Sequence, residues 1–203
     1  MHDLRPAAHE MARLVNGVRD DQLGDPTPCP SYALGDLLQH VRGLAEAFTL
    51  AARKEQPPGG SKPPPPGDAS RLPDDWRGET AGWLDRLVDA WADPAAWEGT
   101  TWIAGFEAPS SAVGITAANE LVTHGWDVAR ASGQQLSLDD ASLAPSMEFV
   151  AMMSGPGSDE ARGDAFGPAL PVPDGSSVLD EVIAGNGRDP GWSPRERLGR
   201  PAS

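Results

Sequence analysis

Glu120 and His124 are spaced so that both can reach one shared partner. At about 3.6 residues per turn, positions i and i+4 lie one above the other on a helix. In the run SSAVGITAANELVTHGWDVARAS, Val113, Ala117, Glu120, His124, Val128 and Ala131 fall on one face, while Ile115 and Trp126 fall opposite. The carboxylate and the imidazole therefore sit inside an apolar stripe and aim at a core. Burying an unpartnered carboxylate costs on the order of several kcal/mol, comparable with the whole stability margin of a small domain. Something has to offset it, and no Lys or Arg occupies a matching inward position in the three helical segments that precede this one. His40 lies at the edge of the apolar stripe of an earlier segment, one turn from Leu37 and Leu44, with the small Gly43 and Ala47 nearby. Two imidazoles and a carboxylate from facing helices form a facial ligand set for a first-row divalent metal, leaving positions open for water or substrate. A buried His–Glu hydrogen bond, shielded by water or with Glu120 protonated, is the alternative left open by spacing alone.

The elements that would carry these residues read as helices. Residues 2–24 place Leu4, Ala7, Ala8, Met11, Leu14, Val15 and Val18 at three- and four-residue steps, and Gly24-Asp25-Pro26-Thr27-Pro28-Cys29-Pro30 ends the pattern. A second helix is expected over 34–54, a third over 74–92, and a fourth over 110–132, with Ser110 or Ser111 as N-cap and Gly133 as stop. A fifth is expected over 139–154 and a short one near 178–184. Between the second and third, residues 56–73 (QPPGGSKPPPPGDASRLP) read as a Pro-rich linker, with a lid or docking segment as the other reading. Residues 93–109 read as irregular, with a short extended piece around 100–106, and no convincing alternating strands are seen. The expected fold is all-α: a four-helix bundle with a crossover connection in one domain spanning 1–203, with 155–203 as an irregular, partly helical extension packed on it.

Composition narrows the function. Thirty acidic against 16 basic residues, a net charge of −14, argue against nucleic acid and anionic membrane surfaces as partners. With one cysteine, Cys29, no internal disulfide can form. The N-terminus lacks the pattern of a secretion signal, and no apolar run is long enough to span a membrane, so the expected location is the cytoplasm.

Three blocks, TPCPSYALGDLLQHV (27–41), NELVTHGWDVARASG (119–133) and AFGPALPVPDGSSVLDEVIAGNGRDPGW (165–192), together resemble the DinB-like superfamily. The likeness is to its branch around the N-terminal domain of mycothiol-dependent maleylpyruvate isomerases and related short actinobacterial metal-binding proteins. It covers nearly the whole chain. The resemblance implies a bundle holding a metal through His, Glu and His, which map onto His40, Glu120 and His124. Zinc is the first expectation for that metal, with nickel, iron or manganese also compatible. It further implies thiol chemistry: the ion deprotonates a low-molecular-weight thiol such as mycothiol, which attacks an electrophilic small molecule. Two departures matter. The isomerases resembled carry a second, C-terminal domain, which this chain of 203 residues lacks, so maleylpyruvate isomerisation itself is not expected. The usual Gly-Trp-Thr or Gly-Trp-Ser before the second helix is Ser31-Tyr32-Ala33 here, removing a capping hydroxyl at position 33.

Other residues have plainer readings. Cys29 is expected to be a buried packing residue, and His2 and His9 to be solvated on the polar face of the first helix. Asp127 either accepts a hydrogen bond from a ligand imidazole or pairs with Arg130 at the surface. Trp76, Trp83, Trp91 and Trp102 are expected mostly in the core, and Trp126 against the C-terminal segment. The function read from these features is a metal-dependent thiol transferase or related enzyme, as a monomer or homodimer. The alternative is a metal-stabilised binding or regulatory module without turnover.

Overall fold

The computed structural model describes residues 1–57, 59–155 and 167–194. Residues 156–166 and 195–203, part of the expected extension and including Ala165 and Phe166 of the closing block, lie outside them. Among the described residues six α-helices form: α1 (Arg5–Gly17), α2 (Leu34–Ala52), α3 (Trp76–Trp91), α4 (Ser110–Ser132), α5 (Asp140–Met152) and α6 (Val178–Gly185).

The first four make the bundle. α1 packs against α3 and α4, and α2 packs against the same two, so the pairs α1/α2 and α3/α4 stand on the diagonals. The connections that cross the bundle are therefore residues 18–33 and 92–109. The Pro-rich segment joins α2 to α3, which are neighbours. Leu14, Leu34, Leu37, Leu38, Leu84, Leu87, Trp91 and Val122 fill the centre with essentially no exposed surface. α5 extends the bundle on the α4 side, and α6 packs on α5 and touches α4.

Helix α1 is shorter than its apolar pattern suggests, ending at Gly17 where Val18 turns extended. The Gln134 amide lies against Gly17 and donates to the carbonyl of Leu14 at 2.8 Å, the carbonyl that the Val18 N–H would use if the helix continued. Val18 is still buried, so the stripe outlasts the helix. The start of α2 does without a hydroxyl at position 33. The N–H groups of Leu34 and Gly35 donate to the carbonyls of Asp25 and Leu23, at 2.9 and 2.7 Å, and Asp36 accepts from the Ala33 N–H at 3.2 Å.

Residues 100–109, expected as irregular with a short extended piece around 100–106, form a hairpin. β1 (Thr100–Ile103) pairs antiparallel with β2 (Phe106–Pro109). Ala104 and Gly105, at φ 51° and 93°, make the two-residue turn that such a hairpin requires. The strands are too short to show alternation in sequence, and Thr101 pins them to α2 by donating its hydroxyl to the Ala51 carbonyl at 2.7 Å. Trp102 on this hairpin is exposed, whereas Trp76, Trp91 and Trp97 are buried. Ser110 opens α4 but does not cap it: its side chain is fully buried, and Pro109 is the N-cap. Gly133, at φ 74°, closes the helix as its sequence predicts.

Candidate metal centre

The adjacency of α2 and α4 brings His40 to Glu120 and His124. One ligating atom from each lies within 4.8 Å of the other two. Three donors at about 2.0–2.2 Å from one ion in a facial or tetrahedral arrangement are about 3–3.6 Å apart, so the three side chains would draw together by up to roughly an ångström to share it. His124 Nε2 lies 3.0 Å from Glu120 Oε2, and the two imidazoles meet edge to face with centroids 5.1 Å apart. The donor set, two borderline imidazole nitrogens and one anionic oxygen, suits a first-row divalent ion.

The other ring nitrogen of His124, Nδ1, lies 3.0 Å from Asp127 Oδ2. Asp127 has no exposed surface, which decides between its two readings. Arg130 does not pair with it and instead donates from Nε to the Trp192 carbonyl at 2.9 Å. A carboxylate on Nδ1 leaves Nε2 facing Glu120 and His40, the orientation a ligating imidazole needs.

A buried cation approaches from a part of the chain that helix periodicity did not reach. Arg188, 5 % exposed, places Nη2 3.4 Å from Asp127 Oδ2 and donates Nη1 to the Asn186 carbonyl at 3.1 Å. It sits just past α6, in Asn186-Gly187-Arg188, within the closing block of the resemblance. No hydrophobic stripe signals it, because its placement depends on how a turn docks against α4. Asn186 fixes that docking: its side-chain amide and that of Asn119 exchange two hydrogen bonds at 2.9 and 3.0 Å, both residues fully buried.

The other neighbours are local to α2. The ring of Tyr32 lies 5.1 Å from that of His40, at a tilt of 36°. The Pro-rich segment reaches the site at Gly67, whose α-carbon faces the Asp36 carbonyl and the His40 β-carbon. The N–H groups of Asp68 and Ala69 donate to Gln39 Oε1 and Asp36 Oδ1 at 3.2 and 2.8 Å. Cys29 is buried, as expected, and burial pushes its thiol pKa up. His9 is exposed, whereas His2 differs from expectation: it is partly buried, 3.0 Å from Glu148 Oε2 and edge-on to Trp97.

Electrostatics separate the two imidazoles. Burial, aided by the nearby His124, pushes His40 down to about 4, so at neutral pH it is uncharged with a lone pair to offer. Burial acts in the same sense on His124, but hydrogen bonds to Asp127 and Glu120, with the charges of both, outweigh it and raise the group to about 9. Burial pushes Glu120 up; the His124 hydrogen bond and the charges of His124, His40 and Arg188 reverse that, leaving it below its ordinary value. Glu120 is thus a carboxylate, and a protonated Glu120 hydrogen-bonded to histidine is not the state that this arrangement favours.

Residues 4–129 match the family described as the mycothiol maleylpyruvate isomerase N-terminal domain. The chain belongs to that family. Its relatives include two uncharacterised proteins from two strains of Mycobacterium tuberculosis, each 27 % identical over 182 residues, 90 % of this chain and 93 % of the relative. Two crystal structures share its fold: mycothiol-dependent maleylpyruvate isomerase, with a TM-score of 0.56 at 18 % identity, and a point mutant of it, at 0.54 and 17 %. Each alignment covers 76 % of this chain and 71 % of the other. The all-α bundle is of the DinB-like kind. The matched region contains His40, Glu120, His124 and Asp127 and stops before Arg188 and Asn186. Among the described residues no helix is long and apolar enough to cross a membrane.

Proposed function

We propose that the chain is a divalent-metal-dependent enzyme of the thiol-transfer kind, with His40, Glu120 and His124 as the ligands. A small-molecule thiol of the mycothiol type and an electrophile would be its substrates. The observation that carries this reading is the convergence of three ligating atoms within 4.8 Å from two helices. Zinc is the first candidate, since two imidazoles and one carboxylate with open positions are a catalytic zinc set. When bound, the ion would supply a Lewis acid that holds a thiol or water in its deprotonated form.

The protein's own residues have distinct tasks in this reading. His40 is uncharged and can ligate without first losing a proton. His124 would give up its Nε2 proton to serve as a ligand while Asp127 keeps hold of Nδ1. Glu120 would bring negative charge that offsets part of the ion's. Family membership supports the thiol class, because the solved relatives are named as mycothiol-dependent.

The first experiment is elemental analysis of protein purified without a His tag. The second incubates the protein with zinc, nickel or manganese, mycothiol and a reactive electrophile. Metal-dependent conjugation above background is expected, and its absence with every pairing would overturn the enzymatic reading. The second reading is a metal-stabilised module without turnover, in which the ion would tie α2 to α4. Strong thermal stabilisation by metal without thiol binding would select the module.

A further inference from the structure

We propose that Arg188 is a positioning residue of the metal centre, holding Asp127 in the rotamer that keeps His124 Nε2 turned toward Glu120 and His40. The inference rests on the metal reading above and adds to it a residue from outside the region matched by the family.

The geometry is a chain of contacts running from the C-terminal turn to the ligand. Oδ2 of Asp127 meets two groups, His124 Nδ1 at 3.0 Å and Arg188 Nη2 at 3.4 Å. Two donors converging on one oxygen restrict carboxylate rotation more than either does alone. Among the described residues, Asp127 Oδ1 and Arg188 Nε have no hydrogen-bond partner, and both are buried. The carboxylate therefore depends on the Oδ2 contacts for its orientation. Burying it with an imidazole alone would leave a solvent-free anion poorly compensated; the guanidinium supplies the countercharge that the first three helices do not.

Arg188 is itself held firmly. Its backbone N–H donates to the Ile183 carbonyl at 3.0 Å, closing the end of α6. Gly187, at φ 75°, makes the left-handed turn between Asn186 and Arg188, and the site of its absent β-carbon lies 2.8 Å from Gly167 backbone atoms. Asn186 is locked to α4 through Asn119 and to α6 through the Val182 carbonyl, at 2.9 Å. The polar residues Asn119 and Asp127 on α4 thus receive Asn186 and Arg188 in register. A helix packed on α5 thereby reaches a ligand on α4.

The test is cobalt(II) binding by the full chain, read as a dissociation constant from chelator competition and as the visible d–d spectrum. Loss of a hydrogen-bond partner to a ligand typically weakens metal binding about 10–100-fold. Arg188→Met is expected to weaken cobalt binding about tenfold and to alter the spectrum, with Arg188→Lys recovering part of the loss. In an Asp127→Asn background, Arg188→Met should change the affinity by less than about twofold, because the residue through which it acts is already lost. Wild-type affinity and spectrum in Arg188→Met, with only a lowered melting temperature, would overturn the role. So would an undiminished effect in the Asp127→Asn background. If Arg188→Met fails to fold, Arg188→Lys decides: it keeps the charge and loses the fork, and an unaltered spectrum and affinity overturn the proposal. Wild-type protein that takes up no cobalt overturns the metal reading and this role with it. Normal wild-type binding with unchanged Arg188 variants overturns this role alone.

Discussion

The imidazoles of His40 and His124 meet edge to face, their planes at 87° and their centroids 5.1 Å apart, although α2 and α4 are separated in sequence by all of α3 and the hairpin. Each ring needs the other helix to complete the cluster. His40→Ala, Glu120→Gln and His124→Ala are each predicted to weaken metal binding by at least about 100-fold, beyond the typical effect of losing a ligand's partner. Calorimetric titration of chelator-treated protein measures this. A variant retaining wild-type affinity would remove its residue from the ligand set.

The metal-free protein is predicted to be most stable near pH 6.5. His124 is raised from 6.5 to about 9, so its stabilising contribution is complete below 6.5 and is lost as pH rises through about 9. His40 has the opposite sign. Burial lowers it from 6.5 to about 4, so protonation of the unfolded chain costs stability as pH falls below 6.5 toward 4. Melting temperatures across this window, in chelator, should fall on both sides. His124→Gln should flatten the alkaline limb and leave an acid one. A monotonic profile in the wild type would contradict the charge assignments.

Gly114 on α4 is where the rings of Trp91 and Trp97 converge. A β-carbon there would lie 2.7 Å from Trp91 and 2.6 Å from Trp97. Both indoles are fixed by donated hydrogen bonds, Trp91 to the Phe48 carbonyl at 3.1 Å and Trp97 to the Trp91 carbonyl at 2.9 Å. Gly114→Ala is therefore predicted to destabilise the bundle by about 1–3 kcal/mol despite alanine's better helix propensity. Urea unfolding monitored by tryptophan fluorescence tests this; a neutral or stabilised variant would show that the rings yield.

Gly67 seats the Pro-rich segment on α2. A β-carbon there would stand 2.2 Å from the Asp36 carbonyl, a backbone atom that cannot swing aside, and 3.2 Å from the His40 β-carbon. Gly67→Ala is predicted to lift the segment and break the Ala69–Asp36 hydrogen bond. Faster proteolysis within residues 56–73, with a smaller loss of stability than Gly114→Ala shows, is the expected result. Unchanged cleavage would mean that the segment reseats itself.

The end of α1 marks where periodicity stops being informative. A stripe of apolar residues reports burial, and burial continues through Val18 after the helix has ended, where the Gln134 amide takes the Leu14 carbonyl that a further turn would use. Of the hairpin only an extended piece around 100–106 is legible: strands of four residues carry too little alternation, and their turn depends on Ala104 adopting a positive φ that its residue type does not announce. Arg188 lay in a recognised block but outside any helical pattern.

What the chain determined by itself was the set of helices and the inward pairing of Glu120 with His124, because one helix face is a local consequence of residue spacing. The need for a compensating partner was also local, since a carboxylate among apolar residues costs free energy wherever the helix docks. Tertiary structure alone decided which helices are neighbours, and hence that His40 arrives beside them. It also decided that Asp127 turns to His124 rather than to Arg130, and that Arg188 reaches Asp127 from the far end of the chain. Those choices depend on the packing of segments distant in sequence, where a contact is set by shape and by buried charge rather than by any period along the chain.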